Sequence, residues 1–314
     1  MRCFSESLSS AQRRMCDASG LCALLTAIGC SGDLLTLGRQ QSTSVEYAFG
    51  VPERVEELAA DNDTDNPTLT ADGLEIFYTA RDGDADVYHS VRSSPSGPFG
   101  PREPIESVSS DSFDTSPAIS ADGLTLWLAS ERDGGQGKLD IWVSKRNSRD
   151  AAWPSPELVE ALNSEKREIP RPPGAKGLIM PLSSDRDGPY WIYLAHRDSA
   201  DAEFGAPELV ASLADPARTA VDAFLTDDGL TLFFTGGPVD NDKLDLYVCE
   251  RSSLESDFGP AEPLTALNTE HDERDPWLSR DGTVLYFSSD REDGILDIYR
   301  VSVEKTAYVA ASGL

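Results

Sequence analysis

Six carboxylates, Asp65, Asp114, Glu168, Asp222, Glu273 and Asp275, each stand a few residues ahead of a short apolar burst. Acids gathered at close quarters call for a compensating positive charge, either a cation or the basic tip of a partner. Two acids flanking a glycosidic bond would instead serve as general acid and base. A third role is plainer, in which each carboxylate accepts backbone N–H groups where a strand begins. No other catalytic apparatus is present. GxSxG is absent, His89, His196 and His271 are far apart, and no CxxC pair offers a zinc site. "DNDTDN" at 61–66 alternates oxygen ligands as a calcium loop does, but Asn66 occupies the place of the glycine that such a loop needs at its bend. No cofactor is expected, and weak calcium binding at acidic loops such as "RDGDADVY" is left open.

With 27 basic and 55 acidic side chains among 314 residues, the net charge is −28. That field repels phosphate backbones and anionic lipid headgroups, which excludes nucleic acid as a ligand and leaves membrane contact to an anchor. An apolar share of 39% suffices for a sizeable core. Of five cysteines, Cys3, Cys16, Cys22 and Cys30 precede the body and Cys249 stands alone within it, so no disulfide framework is expected.

What positions the carboxylates is a repeat. Asp72-Gly73, Asp122-Gly123, Lys176-Gly177, Asp228-Gly229 and Asp281-Gly282 place successive glycines 50, 54, 52 and 53 residues apart. Each pair is followed by an apolar strand, "LEIFY", "LTLWL", "LIMPL", "LTLFF" or "TVLYF". A third strand then begins "DVY", "DIW", "WIY", "DLY" or "DIY", and a fourth follows an aromatic marker at Phe99, Trp153, Phe204 or Phe258. With the brief segments before the turns, each unit holds four strands. A period of this size belongs to propeller blades or solenoid units. The fifth copy of the outer segment, "FGVPERV" at 49–55, precedes the array, which predicts that an N-terminal strand completes the last blade and closes the ring. The expected fold is all-β, a five-bladed β-propeller over 49–303 with six blades as the alternative, preceded by a flexible linker at 31–48 and followed by a tail at 304–314.

"DERDPWLSRDGTVLYFSSDREDGILDIYR" at 272–300 resembles the WD-repeat-like propeller unit of the TolB type, a repeat of bacterial envelope proteins, and "SPAISADGLTLWLASERDGGQGKLDIW" matches it nearly as well. The resemblance covers roughly residues 64–303 and speaks for the repeat rather than for an activity. TolB itself carries an α/β domain ahead of its propeller, for which the short linker leaves no room, so its partners are not carried over. At the N-terminus, Arg13 and Arg14 precede "GLCALLTAIGC", too short to span a bilayer. This stretch resembles a bacterial lipoprotein signal. The resemblance implies a signal peptide over 1–30 with Cys30 lipidated, and Ser31 after it favours the outer membrane, facing periplasm or cell surface.

The innermost strand of a propeller blade lines the central channel, so the six carboxylates are expected to converge on one channel mouth. Arg81 with Asp86, Arg132 with Asp140, and Arg291 with Asp297 are expected to clamp across the loop between second and third strands. The aromatic markers, Phe49 included, are expected to pack between blades. Blade three breaks the pattern through Pro170, Pro172, Pro173 and Pro181, and there Arg171, Tyr190 and Trp191 form the candidate asymmetric patch. Acids recurring by symmetry argue against an active site, which needs one unusual acid. The expected function is a monomeric, non-catalytic binding platform of the bacterial envelope for a protein or a cell-wall glycan, with a glycoside hydrolase as the alternative.

Overall fold

The computed structural model describes residues 43–241 and 243–309, so the expected signal peptide and Cys30 lie outside the described residues. Five antiparallel sheets are arranged in a ring, four built from consecutive strands of one repeat and the fifth completed by N-terminal strands. It is a five-bladed β-propeller.

The inner strands are Thr64–Leu69, Asp114–Ile119, Glu168–Pro170, Arg218–Leu225 and Glu273–Leu278. The second strands, Glu75–Ala80, Thr125–Ser130, Ile179–Ser184, Thr231–Pro238 and Val284–Ser289, are buried almost throughout. That is why their sequences show little polar alternation: neighbouring blades cover both faces. Leu126, Leu128 and Ile119 meet Phe77 and Val87 of the preceding blade in one cluster, and Phe287 and Leu285 meet Phe233 in another. Outer strands are two residues long, as at Glu103–Pro104.

Phe99, Trp153, Phe204 and Phe258 are buried between blades as expected, and Phe49 is half-buried. Phe99 joins Trp277 and Tyr286 of the fifth blade, Trp153 meets Phe77 edge-on, and Phe204 meets Trp127. Four arginines, Arg92, Arg146, Arg197 and Arg251, lie over Phe99, Trp153, Phe204 and Phe258 and donate Nε to the carbonyls of Gly73, Gly123, Gly177 and Gly229. Each guanidinium thereby ties a blade's first turn to its outer aromatic.

Closure follows the predicted exchange. Glu53 and Arg54 pair antiparallel with Arg300 and Tyr299 in the last blade. A further strand, Thr43–Phe49, extends the same sheet beside the long strand Asp297–Val309. Ordered sheet therefore begins inside the stretch expected as linker and runs on into the stretch expected as tail. Tyr47 packs against Phe233 at 5.2 Å between ring centroids, which gives this extension an apolar seat on the fourth blade. No helix among the described residues is long and apolar enough to cross a membrane.

Candidate functional site at the propeller axis

The structure divides the six carboxylates into two kinds. Asp114, Glu168 and Glu273 are fully buried and held inside their own blades. Asp114 accepts from Ser110 N and Oγ at 2.6 and 2.8 Å and from Arg132 at 2.6 Å. Glu168 accepts from Ser164 N and Oγ at 3.0 and 2.6 Å, from Ser184 at 2.8 Å, and pairs with Arg186 at 3.0 Å. Glu273 repeats this with Thr269 N and Oγ1 at 2.8 and 2.7 Å and Arg291 at 3.1 Å. Each arginine also donates to a backbone carbonyl, Val108, Leu162 or Leu267. These acids fasten strand entrances and do not converge on a channel mouth.

The expected arginine clamps are corrected at the same point. Arg132 and Arg291 pair with the carboxylate that opens the inner strand, and Arg81 pairs with Asp65 at 3.1 Å and Asp63 at 3.6 Å. Hairpin register is the cause: Asp114 lies opposite Ser130 and Glu273 opposite Ser289, so an arginine two residues past that serine folds back onto the inner strand. Asp140 is taken instead by Gly137 N at 3.0 Å, and Asp297 by Arg54 at 2.7 Å.

The second kind lies on the axis. In four blades the inner strand carries a bulge whose central residue has positive φ: Asn66 (58°), Ser116 (51°), Asp222 (53°) and Asp275 (58°). Such backbone costs about 1–3 kcal/mol per non-glycine residue, least for Asn and Asp, so four recurrences imply a common compensation. Part of it is a stitch between blades. The N–H groups of Ser116, Asp222 and Asp275 donate to Thr79, Ser183 and Thr235 on the second strand of the preceding blade at 3.0–3.1 Å. Where the fifth blade meets the first the stitch differs: Asn66 N donates to Asp275 at 3.2 Å, and Ser288 Oγ, fully buried, has no partner.

Blade three has no such bulge among the described residues, and Arg171 projects there instead. Its Nη2 donates to Asp222 at 2.9 Å and to Asp275 at 2.5 Å. Because Asp275 belongs to a blade not adjacent to Arg171, this contact must cross the axis. Ser116 Oγ donates to Asn66 at 2.9 Å and Asn66 Nδ2 to Asp65 at 2.7 Å, so one residue from every blade joins a single network. Arg171 is only 4% exposed. Burial pushes the Asp222 carboxyl up to about 7 although Arg171 opposes it, and burial with the charge of Asp275 raises Asp65. The ring of acids thus has its own cation. No group of His, Cys, Asp and Glu among the described residues forms a cage for a metal ion.

The three side chains of the candidate asymmetric patch have different partners. Arg171 is axial, whereas Tyr190 is paired with Arg167 and Trp191 donates Nε1 to the Asp215 carbonyl at 3.2 Å. Burial raises the Tyr190 hydroxyl to about 12, so it is a neutral hydrogen-bonding group.

Three residues beyond the network, about 10 Å at strand rise, the inner strands end around a hollow of about 340 Å³ lined by all five blades. Its walls are apolar, formed by Leu69, Ile119, Pro172, Pro173, Phe224 and Trp277 among others. A second hollow of about 380 Å³ shares Leu69, Ala71, Trp277, Ser279, Arg280 and Asp281 with it and continues between the fifth and first blades. Asp227, Asp228 and Asp281 border the first and Asp72 the second. In the sequence Asp72, Asp228 and Asp281 stand out only as hairpin residues. Their signal was the hydroxyl two positions earlier: Thr70, Thr226 and Ser279 donate to Asp72, Asp228 and Asp281 at 2.6–2.7 Å, and the N–H two residues on donates to the same oxygen.

No family model matches the chain, and no curated protein matches it in sequence. Solved structures do match. TolB from Acinetobacter baumannii is 16% identical with a TM-score of 0.49, over 80% of this chain and 58% of the TolB chain. An α-L-arabinofuranosidase from Podospora anserina, solved with cellotriose, is 11% identical with a TM-score of 0.50, over 79% of this chain and 92% of its own. The catalytic domain of a GH62 α-L-arabinofuranosidase from Coprinopsis cinerea gives 11% and 0.50, over 83% and 97%. The likeness is one of fold. Fold alone does not specify activity, so the site must carry any functional argument.

Proposed function

We propose that this chain is a non-catalytic binding platform of the bacterial cell envelope, tethered through Cys30, that presents the face of its first turns and the hollow at its axis to a protein or cell-wall glycan partner. The observation that carries this reading is Arg171. Glycosidic hydrolysis by paired carboxyls needs two acids open to the bond and free to trade a proton with it. Here Asp222 and Asp275 are buried and both are bound by one guanidinium. Asp114, Glu168 and Glu273 are consumed as strand fasteners. Above the network the cavity is apolar, which suits recognition better than proton transfer.

Incubation with arabinan, xylan and peptidoglycan fragments should release no reducing ends. Release that disappears in Asp222→Asn or Asp275→Asn would replace the platform by a hydrolase. Radioactive palmitate supplied to an exporting host should label the wild-type chain and not Cys30→Ser.

A further inference from the structure

We infer that the continuous cleft formed by the axial hollow and its extension between the fifth and first blades is a docking site for a polypeptide segment in which an apolar side chain is flanked by Lys or Arg. This rests on the platform reading and goes further, because it chooses between the two partner classes.

The walls are aliphatic. Leu69, Ala71, Ile119, Ala121, Pro172 and Leu278 come from four blades and offer no hydrogen bond from their side chains. A sugar entering there would lose hydroxyl hydration without replacement, whereas a leucine or phenylalanine side chain loses nothing polar. The aromatic residues point the same way. Sugar recognition uses an open ring face, but Trp277 is 5% exposed and meets Phe224 and Tyr286 at interplanar angles of 64° and 67°, so its face is already covered. It serves as wall.

The rim supplies charge. Asp72, Asp228 and Asp281 are each fixed by a hydroxyl and a backbone N–H of their own turn. These bonds keep Asp281 below the usual carboxylate range, they outweigh burial at Asp228, and at Asp72 the Arg149 side chain brings the value down to about 2. Asp227 adds a fourth acid, paired with Arg280 at 2.9 Å, and Lys305 also borders the hollow. Arg92 lines the second hollow and Arg149 holds Asp72 with both Nη atoms, so Asp228 and Asp281 are the rim acids with no guanidinium partner among the described residues, in a chain of net charge −28. An apolar anchor carrying its own cations meets both demands: the anchor fills the hollow and its neighbours reach carboxylates that remain ionised at any physiological pH.

The probes are two capped tripeptides, Lys-Phe-Lys and Glu-Phe-Glu, titrated calorimetrically into the full chain at low and high salt. Lys-Phe-Lys should bind at least tenfold more tightly, and the difference should shrink with salt. Ala71→Trp, which fills the hollow from its half-buried edge, should weaken binding at least tenfold while circular dichroism and melting temperature remain near wild type. Asp228→Asn with Asp281→Asn, which keeps an oxygen for the turn bonds, should lower the preference for the cationic peptide while leaving Phe-dependent binding. Equal affinity for both peptides, indifference to Ala71→Trp, or no binding of either would overturn the proposal. Tight binding of xylohexaose that Ala71→Trp abolishes would assign the cleft to glycans instead. None of these outcomes touches the platform reading, which fails only if the glycan panel shows hydrolysis.

Discussion

At Arg171 a single side chain decides the chemistry of the axis. Its guanidinium is buried, and removing it takes from Asp222 and Asp275 the cation that contacts both, leaving the charge of Arg274 nearby. Breaking a buried ion pair from one side costs about 3–5 kcal/mol, since the surviving charge stays desolvated. Arg171→Ala should therefore lower the urea midpoint far more than Arg280→Ala, which loses one surface pair with Asp227. Similar midpoints would show that the axial network contributes nothing. Asp222 adds a pH dependence whose sign is fixed by its raised carboxyl. A group with folded pKa of about 7 against an ordinary 3.8 stabilises the fold below 3.8 and loses that contribution as pH rises through 7. The stability of wild type relative to Asp222→Asn should consequently fall between pH 5 and pH 8; a constant difference would mean that Asp222 is ionised throughout. The sequence suggests that Asp222 and Asp275 come together at the channel, but it places Arg171 in a separate patch and not between them. The arginine and Asp275 are 104 residues apart, and their meeting depends on blade three lacking the bulge that the other four carry.

Among the elements, turns and strands are legible because local physics dictates them. Gly73, Gly123, Gly229 and Gly282 all have positive φ, the conformation that makes glycine the default at a tight turn. Side-chain partners are less legible, since a hydrogen bond between strands depends on register that a list of spacings does not contain. Arg132 lies eight positions before Asp140 yet pairs with Asp114, which hairpin pairing has brought back beside it. A double-mutant cycle distinguishes the two assignments. Arg132→Ala with Asp114→Ala should show a coupling of about 1–3 kcal/mol, while Arg132→Ala with Asp140→Ala should be additive within about 0.5 kcal/mol. The reverse pattern would restore the clamp that the sequence suggested. For the aspartates opening the third strands the same logic predicts an unequal pair of losses. Asp297 is 1% exposed and bound to Arg54, whereas Asp245 pairs with Lys243 near the surface. Asp297→Ala should lower the melting temperature more than Asp245→Ala.

For the molecule as a whole, the junction expected to yield first is the one closed by the N-terminal strand. Every other junction between blades is crossed by continuous chain, whereas the fifth and first are joined by packing of Phe99 and Leu69 on Trp277 and Tyr286, by Asn66 N to Asp275, and by what the N-terminal segment brings back. That segment supplies the outer strand at Glu53–Arg54, Val55 N to the Ile298 carbonyl at 2.8 Å, Thr64 N to the Leu296 carbonyl at 2.7 Å, and the ion pair of Arg54 with Asp297. The buried stitch that other junctions use is altered at this one, with Ser288 Oγ left over. A chain shortened to begin at residue 56 loses the outer strand and Phe49 together, exposing the edge of Asp297–Val309 and an apolar surface on Val248 and Leu264. It should unfold at markedly lower urea and be cut by protease within 297–309, whereas a chain beginning at residue 43 should keep the full-length midpoint. The cleft tests the same junction from the ligand's side, because the 380 Å³ hollow lies between these two blades. If the junction opens first, Lys-Phe-Lys should raise the melting temperature of the full chain and fail to do so for the chain beginning at 56. A peptide that protects both equally must bind away from the closing strand, and the ring's closure would then have no part in recognition.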